Sequence, residues 1–393
     1  MTKSKQTLFL PKNYIKINVI IVTLVIGLAA FGCIMVYSAS SYSALHNYNN
    51  QYHFLVKQII GVVIGIVAMC ITYFIDYRVY KKWKWIFVSV ALITLILVFI
   101  PGIGVSNYGA RRWIQLPGFT IQGSEIAKFC YVIFCAIYLS DKQDKTSNFR
   151  TFLPVIGVGL LLCVLIMLEP NMSITMVVGL TMVVMLFIGG MKMKHFGLML
   201  IPIILAIPIL ILIEPYRLKR LLAFINPWAS PQGEGFQLIQ SLYSLGSGGL
   251  FGVGLFNSRQ KYLYLPFSES DFIFSIIGEE FGLLGGAVVV ICFVILIINL
   301  IKIAMRASDR FACFIVAGIT SIIALQVLIN LSVVTGSIPP TGVPLPLISA
   351  GSSSLIVFMA SIGIALNVNR TNSNPKCFNL IKYKEKISLK NVC

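Results

Sequence analysis

Apolar runs about 20 residues long recur from one end of this chain to the other, and they restrict its fold more than any other feature. A run of that length crosses the roughly 30 Å hydrocarbon core of a bilayer as a helix. Ten can be read, at 16–38, 55–75, 86–101, 124–140, 152–169, 173–190, 196–213, 272–300, 312–333 and 353–368. The third, fourth and sixth are short enough to tilt or slide by several residues. A soluble bundle would carry amphipathic stripes instead. Here 58% of the 393 residues are hydrophobic and only 11% are charged. The expected fold is all-α, an integral membrane protein built as a polytopic bundle of ten transmembrane helices with a long, partly folded extracytoplasmic loop. A basic N-terminus (1–15) and a basic tail (369–393) flank the membrane domain (16–368). The first run is too long for a signal-peptide core and lacks a small-residue cleavage site, so it is expected to remain as a helix.

Charge sets the expected orientation. With the N-terminus in the cytoplasm, the inside segments collect 22 of the 31 basic residues, among them Arg78, Lys81, Lys82, Lys84, Lys192, Lys194, Arg306 and Arg310. The positive-inside rule then places both termini in the cytoplasm. Basic loops lying on an anionic leaflet account for the net charge of +18, so membrane lipids are partners and nucleic acid is not called for. The nine cysteines are scattered in predicted helices or in the tail, which implies no disulfide framework. His46, His53 and His195 lack metal-ligand spacing.

Two outside loops are long. Residues 102–123 are expected to form a polar, glycine-containing loop. Residues 214–271 carry Tyr243, Phe251, Tyr262 and Tyr264, too apolar for a solvated linker, so this loop should fold partly as helix and pack back onto the bundle. Of five aspartates, only Asp271 falls on the outer side, where the polar loop enters an apolar helix. A poised carboxylate there suits general-base work. The same residue type caps helices, and Phe272-Ile273-Phe274 begins one, so both roles stand open. Glu125 and Lys128 lie three apart at the start of a membrane helix and share a face. They read either as a structural ion pair or as a polar cavity wall. Glu279 and Glu280 lie about two turns into a helix, placed to cap or pair across the bundle. Arg111, Arg112, Arg217, Lys219, Arg220, Arg259 and Lys261 break the positive-inside trend. Such cations ask for an anion, phosphate or pyrophosphate by their geometry, or lipid headgroups.

These residues carry a resemblance. Val36-Tyr37-Ser38-Ala39-Ser40-Ser41, Gly109-Ala110-Arg111-Arg112-Trp113-Ile114 with Gln122 to Lys128, Leu168-Glu169-Pro170-Asn171-Met172, Gly246 to Leu265 with Asp271 to Glu280, and Thr341-Gly342-Val343 with Ser349 to Ser354 stand in order along the chain. The set resembles the SEDS family (shape, elongation, division and sporulation), the FtsW/RodA-type membrane glycosyltransferases of peptidoglycan synthesis, over nearly the whole membrane region. The runs around Asp271 and Val36 look more like the division and sporulation branch.

The resemblance implies polymerisation of lipid II, the undecaprenyl-pyrophosphate-linked disaccharide-peptide, on the outer face of the bacterial cytoplasmic membrane. It implies a class B penicillin-binding protein as transpeptidase partner, within the divisome or sporulation wall machinery. The family's essential aspartate maps onto Asp271. Arg111, Arg112, Glu125, Lys128, Arg217, Arg220, Lys261, Ser349 and Ser353 become candidates for pyrophosphate and cavity contacts. No cofactor is demanded, although a divalent cation (Mg or Mn) could offset charge on the pyrophosphate. A lipid II flippase and a non-catalytic scaffold for the transpeptidase are the competing functions. The chain departs from the family pattern at Gly123 (usually Pro), Asn171 (usually Asp), Ser173 (usually Gly), Asn226 (usually Asp), and at Ala350 and Ser352 of the last signature.

Overall fold

The computed structural model describes residues 12–107, 110–116, 119–142, 148–197, 201 and 215–372. Among the described residues lie the α-helices α1 (Lys12–Tyr48), α2 (His53–Phe74), α3 (Lys84–Leu97), α4 (Gly123–Asp141), α5 (Leu153–Leu168), α6 (Met172–Ile188), α7 (Pro215–Ile225), α8 (Phe236–Gly248), α9 (Ile273–Met305), α10 (Arg310–Val334) and α11 (Ser352–Asn372). Among the described residues six of these, α1, α2, α4, α9, α10 and α11, are long and apolar enough to cross a membrane. Three further expected spans are the shorter helices α3, α5 and α6, and the run at 196–213 lies almost wholly outside the described residues.

Membrane helices are apolar on every side, so burial rather than polarity distinguishes their faces. On α1, Ile17, Ile21, Val25 and Leu28 pack inward at helical spacing, while Val19, Ile20, Ile26 and Ile34 face outward. Helix α4 has no outward face over its middle, where every residue from Ala127 to Ile137 is buried. It is the centre post of the bundle, touching α3, α5, α6, α10 and α11.

The loop at 102–123 is not irregular. It forms a three-stranded antiparallel sheet of β1 (Gly104–Asn107), β2 (Ala110–Leu116) and β3 (Phe119–Gln122) in the order β1-β2-β3, which corrects the all-α expectation. The period-2 signal was present in β2: Arg111 and Gln115 are exposed, whereas Ile114 is buried and Arg112 half-buried. Strand β3 runs directly into α4 and fixes the sheet to the centre post.

The 214–271 loop holds α7 and α8, and its remainder plugs a break in α9. Gly282 has φ 67° and ψ −167° inside that helix. Four main-chain groups freed by the break find partners in the loop. Val253 N and Gly254 N donate to the Glu279 and Glu280 carbonyls (2.9 and 3.0 Å), and Leu283 N and Leu284 N donate to the Gly249 and Leu250 carbonyls (2.9 and 3.2 Å). An unsatisfied peptide group at membrane depth costs several kcal/mol, so non-helical backbone there must be covered by protein. Glycine is required at 282, because a Cβ would stand 2.5 Å from Leu250 O. The segment Ile273–Glu280 before the break is entirely buried, whereas Leu283, Leu284, Val288 and Ile291 after it are exposed.

Candidate functional site

Asp271 stands two residues before α9 and does not cap it. The cap position is Phe272, with no side-chain bond to the helix. Its carboxylate is therefore left to other partners. Ser270 Oγ donates to Oδ1 at 3.2 Å, and Oδ2 faces Gly342, where a Cβ would stand 3.0 Å away and 3.7 Å from Ser173 Oγ. The main chain beneath it is anchored three times. Asn330 Nδ2 donates to Asp271 O (2.8 Å), Ser349 Oγ to Ser270 O (2.6 Å) and Ala350 N to Glu269 O (2.8 Å). Burial pushes the Asp271 carboxyl up to about 6, against the Ser270 hydrogen bond and the positive charges of Arg112 and Arg220. A carboxylate in that range can be both ionised at neutral pH and basic enough to accept a proton.

Arg112, on the inward side of β2, supports the facing wall. Its Nε donates to Glu169 O at 3.2 Å and its Nη2 to Pro170 O. Glu169 itself is fully buried, and neither carboxylate oxygen has a hydrogen-bond partner. Burial raises it to about 8, with Arg112 opposing. Asn171 caps α6 by accepting from Ile174 N at 3.3 Å. Arg111, its neighbour's opposite on the strand, is exposed.

A second polar cluster lies inside the helix bundle. Lys128 Nζ donates to Glu125 Oε2 (2.7 Å) and Gln326 Oε1 (2.8 Å), and Ser354 Oγ donates to the same Glu125 oxygen (2.6 Å). Lys128 also sits over the Phe358 ring at 4.7 Å. The segment Leu345–Ser354 joins the two clusters, with Ser349 on the Asp271 side and Ser354 on the Glu125 side. Gln58 holds it from α2, donating to Ser349 O at 3.2 Å and accepting from Gly351 N at 3.3 Å. Ser353 is half-buried on the first turn of α11.

Lys261 belongs to a third cluster. It is buried, lies 3.7 Å from Glu280 Oε1, and donates to Phe256 O at 2.5 Å. Glu280 also accepts from Ser38 on α1 (2.6 Å), and Glu279 accepts from Ser258 Oγ (2.5 Å) and Arg259 N (2.9 Å). These carboxylates stitch the 214–271 loop to the broken helix. Arg220 pairs with Glu234 at 3.7 Å in an exposed contact. Arg217 lies on α7 with its side chain outside the described set. Among the described residues no group of three or more His, Cys, Asp or Glu side chains converges on a metal position.

Sequence reasoning missed Gln58, Gln326, Asn330 and Ser354. Gln326 and Asn330 had a signal: two amides four apart in an otherwise apolar helix share one face, and both are fully buried.

The family model for FtsW, RodA and SpoVE, described as cell cycle protein, matches residues 18–374. The chain belongs to this family. Stage V sporulation protein E of Bacillus subtilis is 40% identical over 355 residues, covering 90% of this chain and 97% of that protein. The probable peptidoglycan glycosyltransferase FtsW of Trichlorobacter lovleyi is 38% identical over 363 residues, 91% of this chain and 94% of its own. A solved chain from a peptidoglycan synthase complex that coordinates polymerization and crosslinking superposes with a TM-score of 0.74 at 26% identity, over 90% of this chain and 97% of that one. Thermus thermophilus RodA, with a TM-score of 0.64 at 24% identity over 90% and 96%, shares the fold.

Within the FtsW/RodA/SpoVE frame, several departures of this chain have a local account. Asn171 caps as well as an aspartate would. Gly123 lets Thr94 O of α3 approach where a Cβ would stand. Ala350 acts through its main-chain N–H, and Ser173 adds a hydroxyl beside Gly342. Nothing in the structure explains Asn226, whose side chain makes no cap bond.

Proposed function

We propose that this chain is a peptidoglycan glycosyltransferase of the division and sporulation branch, polymerising lipid II on the outer face of the bacterial cytoplasmic membrane. The names of its relatives support the activity. The observation that carries the site is the Asp271 carboxylate, released from capping, half-buried against Gly342 and lying in the field of Arg112 and Arg220.

The acceptor's sugar 4-hydroxyl attacks the anomeric carbon of the donor. The new C–O bond forms as the bond from that carbon to the pyrophosphate oxygen breaks, and undecaprenyl pyrophosphate leaves with the electron pair. Asp271 takes the hydroxyl proton, which makes the oxygen a competent nucleophile. Arg111, Arg112, Arg217 and Arg220 supply positive charge for the pyrophosphate, where charge grows in the transition state. A divalent cation bound with the substrate would add to that field. Glu125, Lys128, Ser349 and Ser353 line the cavity that takes the rest of the substrate. Lys261, already engaged by Glu280, holds the outer loop in place. The likeness to a synthase complex supports a class B penicillin-binding protein as partner.

Ten spans with both termini in the cytoplasm put Asp271 outside, where lipid II is presented. A reporter fused after Arg370 should be active only inside, and one inserted near Gly233 only outside. The deciding experiment gives labelled lipid II to the purified protein with its transpeptidase. Glycan ladders that vanish in Asp271→Asn support the reading. Partner binding without ladders would make the chain a scaffold, and lipid II crossing vesicle bilayers without polymer would make it a flippase.

A further inference from the structure

We propose that Asn330 is a positioning residue for Asp271, holding both the base and the wall against which it rests. The inference depends on the glycosyltransferase reading above. Asn330 lies on α10, is fully buried and has both amide hydrogens engaged by main-chain oxygens, so it holds the site rather than binding the substrate. Its Nδ2 donates twice, to Asp271 O at 2.8 Å and to Val343 O at 2.7 Å. One amide thus ties together two loops that are otherwise separate in the chain. The first carries the carboxylate. The second carries Gly342, whose Cα faces Oδ2 of that carboxylate.

The geometry is demanding. An amide nitrogen has two hydrogens, and both are used on main-chain oxygens in fixed directions. The Asn330 Oδ1 has no hydrogen-bond partner. An orphaned buried acceptor is costly, so an apolar residue would suit this helix position better unless the two donors were needed. Asn299 on α9 is a contrasting case. It is also buried, but its Nδ2 bonds only Ile295 O of its own helix at 2.7 Å, which links nothing to Asp271.

Without the Asn330 donors, the 269–271 and 342–343 segments keep only their other anchors, among them Ser349 on Ser270. The carboxylate can then shift relative to the acceptor hydroxyl. Displacement of a catalytic group by about 1 Å can cost on the order of a hundredfold in rate.

The test uses Asn330→Ala and the volume-preserving Asn330→Leu, with Asn299→Leu as the matched control, in the full chain with its transpeptidase. Hydrogen–deuterium exchange should rise in peptides spanning 268–273 and 341–345 in both Asn330 variants and stay at the parent level in the control. Lipid II polymerisation should lose roughly tenfold to a hundredfold in kcat, with KM within about twofold, because no substrate contact is removed. In an Asp271→Asn background, adding Asn330→Ala should lower the residual rate no further. Unchanged exchange in both segments, or a loss confined to KM, would overturn the proposal. A parent protein that makes no polymer would overturn the glycosyltransferase reading instead, and the exchange result would still judge the clamp.

Discussion

Gly342 closes directly on Asp271: a single added Cβ at Gly342 would stand 3.0 Å from the carboxylate Oδ2. The glycine also has φ 76°, a region that L side chains enter at a cost of about 1–2 kcal/mol. Gly342→Ala should therefore fold with a lowered thermal midpoint and lose most polymerising activity, since the methyl group displaces the carboxylate. Parent-like activity in Gly342→Ala would show that Oδ2 is not held against this wall.

Asp271 should set the acid limb of the pH profile. With its carboxyl near 6, kcat/KM should fall about tenfold per unit below that pH, because the protonated acid cannot accept the hydroxyl proton. Asp271→Asn should reduce polymerisation by about 10²–10⁴-fold and remove this limb from the residual rate. Folding should survive, as the side chain caps no helix. A profile that stays flat down to pH 5 would move the base elsewhere.

Glu169 should make the protein less stable as pH rises. Its folded value of about 8 lies above its ordinary 4.5. Between these values the unfolded chain has lost the proton that the folded chain retains, so stability drops as pH rises through the window. Glu169→Gln removes this dependence. Its thermal midpoint should exceed the parent's at pH 8 and approach it at pH 5, as read by a melting series in detergent. Parallel curves would mean that Glu169 is solvated.

Arg112 and Arg111 should separate, because neighbouring strand residues point to opposite faces. Arg112→Ala leaves the Glu169 and Pro170 carbonyls short of a donor, at roughly 1–3 kcal/mol. It also removes a positive charge that lowers Asp271, so the acid limb should move to higher pH. Arg111→Ala should alter stability by less than about 0.5 kcal/mol and lower kcat/KM without moving the acid limb. Equal pH profiles in the two variants would contradict this division.

The Lys128–Glu125 pair should tolerate joint replacement better than single loss. Removing one partner of a buried pair typically costs about 3–5 kcal/mol, while replacing both by apolar groups is often close to neutral. Lys128→Met should melt well below the parent, and adding Glu125→Leu should recover much of the loss. Both variants should polymerise poorly if this cluster lines the cavity. A double variant no more stable than Lys128→Met would mean that Gln326 and Ser354 carry the cluster.

Consecutive residues were enough to determine that this chain lives in a membrane, since span length and hydropathy are local properties. They also determined the family, through ordered signatures, and singled out Asp271 as the aspartate at a loop–helix junction on the predicted outer side. The alternation in β2 was local too, but it was masked by the polarity of its surroundings. Other features depended on distant partners and could be decided only by the tertiary structure. By sequence Asp271 is open to both capping and catalysis; where α9 begins frees its carboxylate from capping, and its main chain is held by Asn330, 59 positions away. Lys261 is by sequence one of several candidate phosphate ligands, and only the fold brings Glu280 beside it. The Phe281-Gly282-Leu283-Leu284-Gly285-Gly286 run offers three glycines, and only the approach of Gly249–Gly254 selects Gly282 as the break. In an apolar medium each polar group takes its meaning from the partner that satisfies it, and those partners are brought together by packing rather than by proximity in the chain.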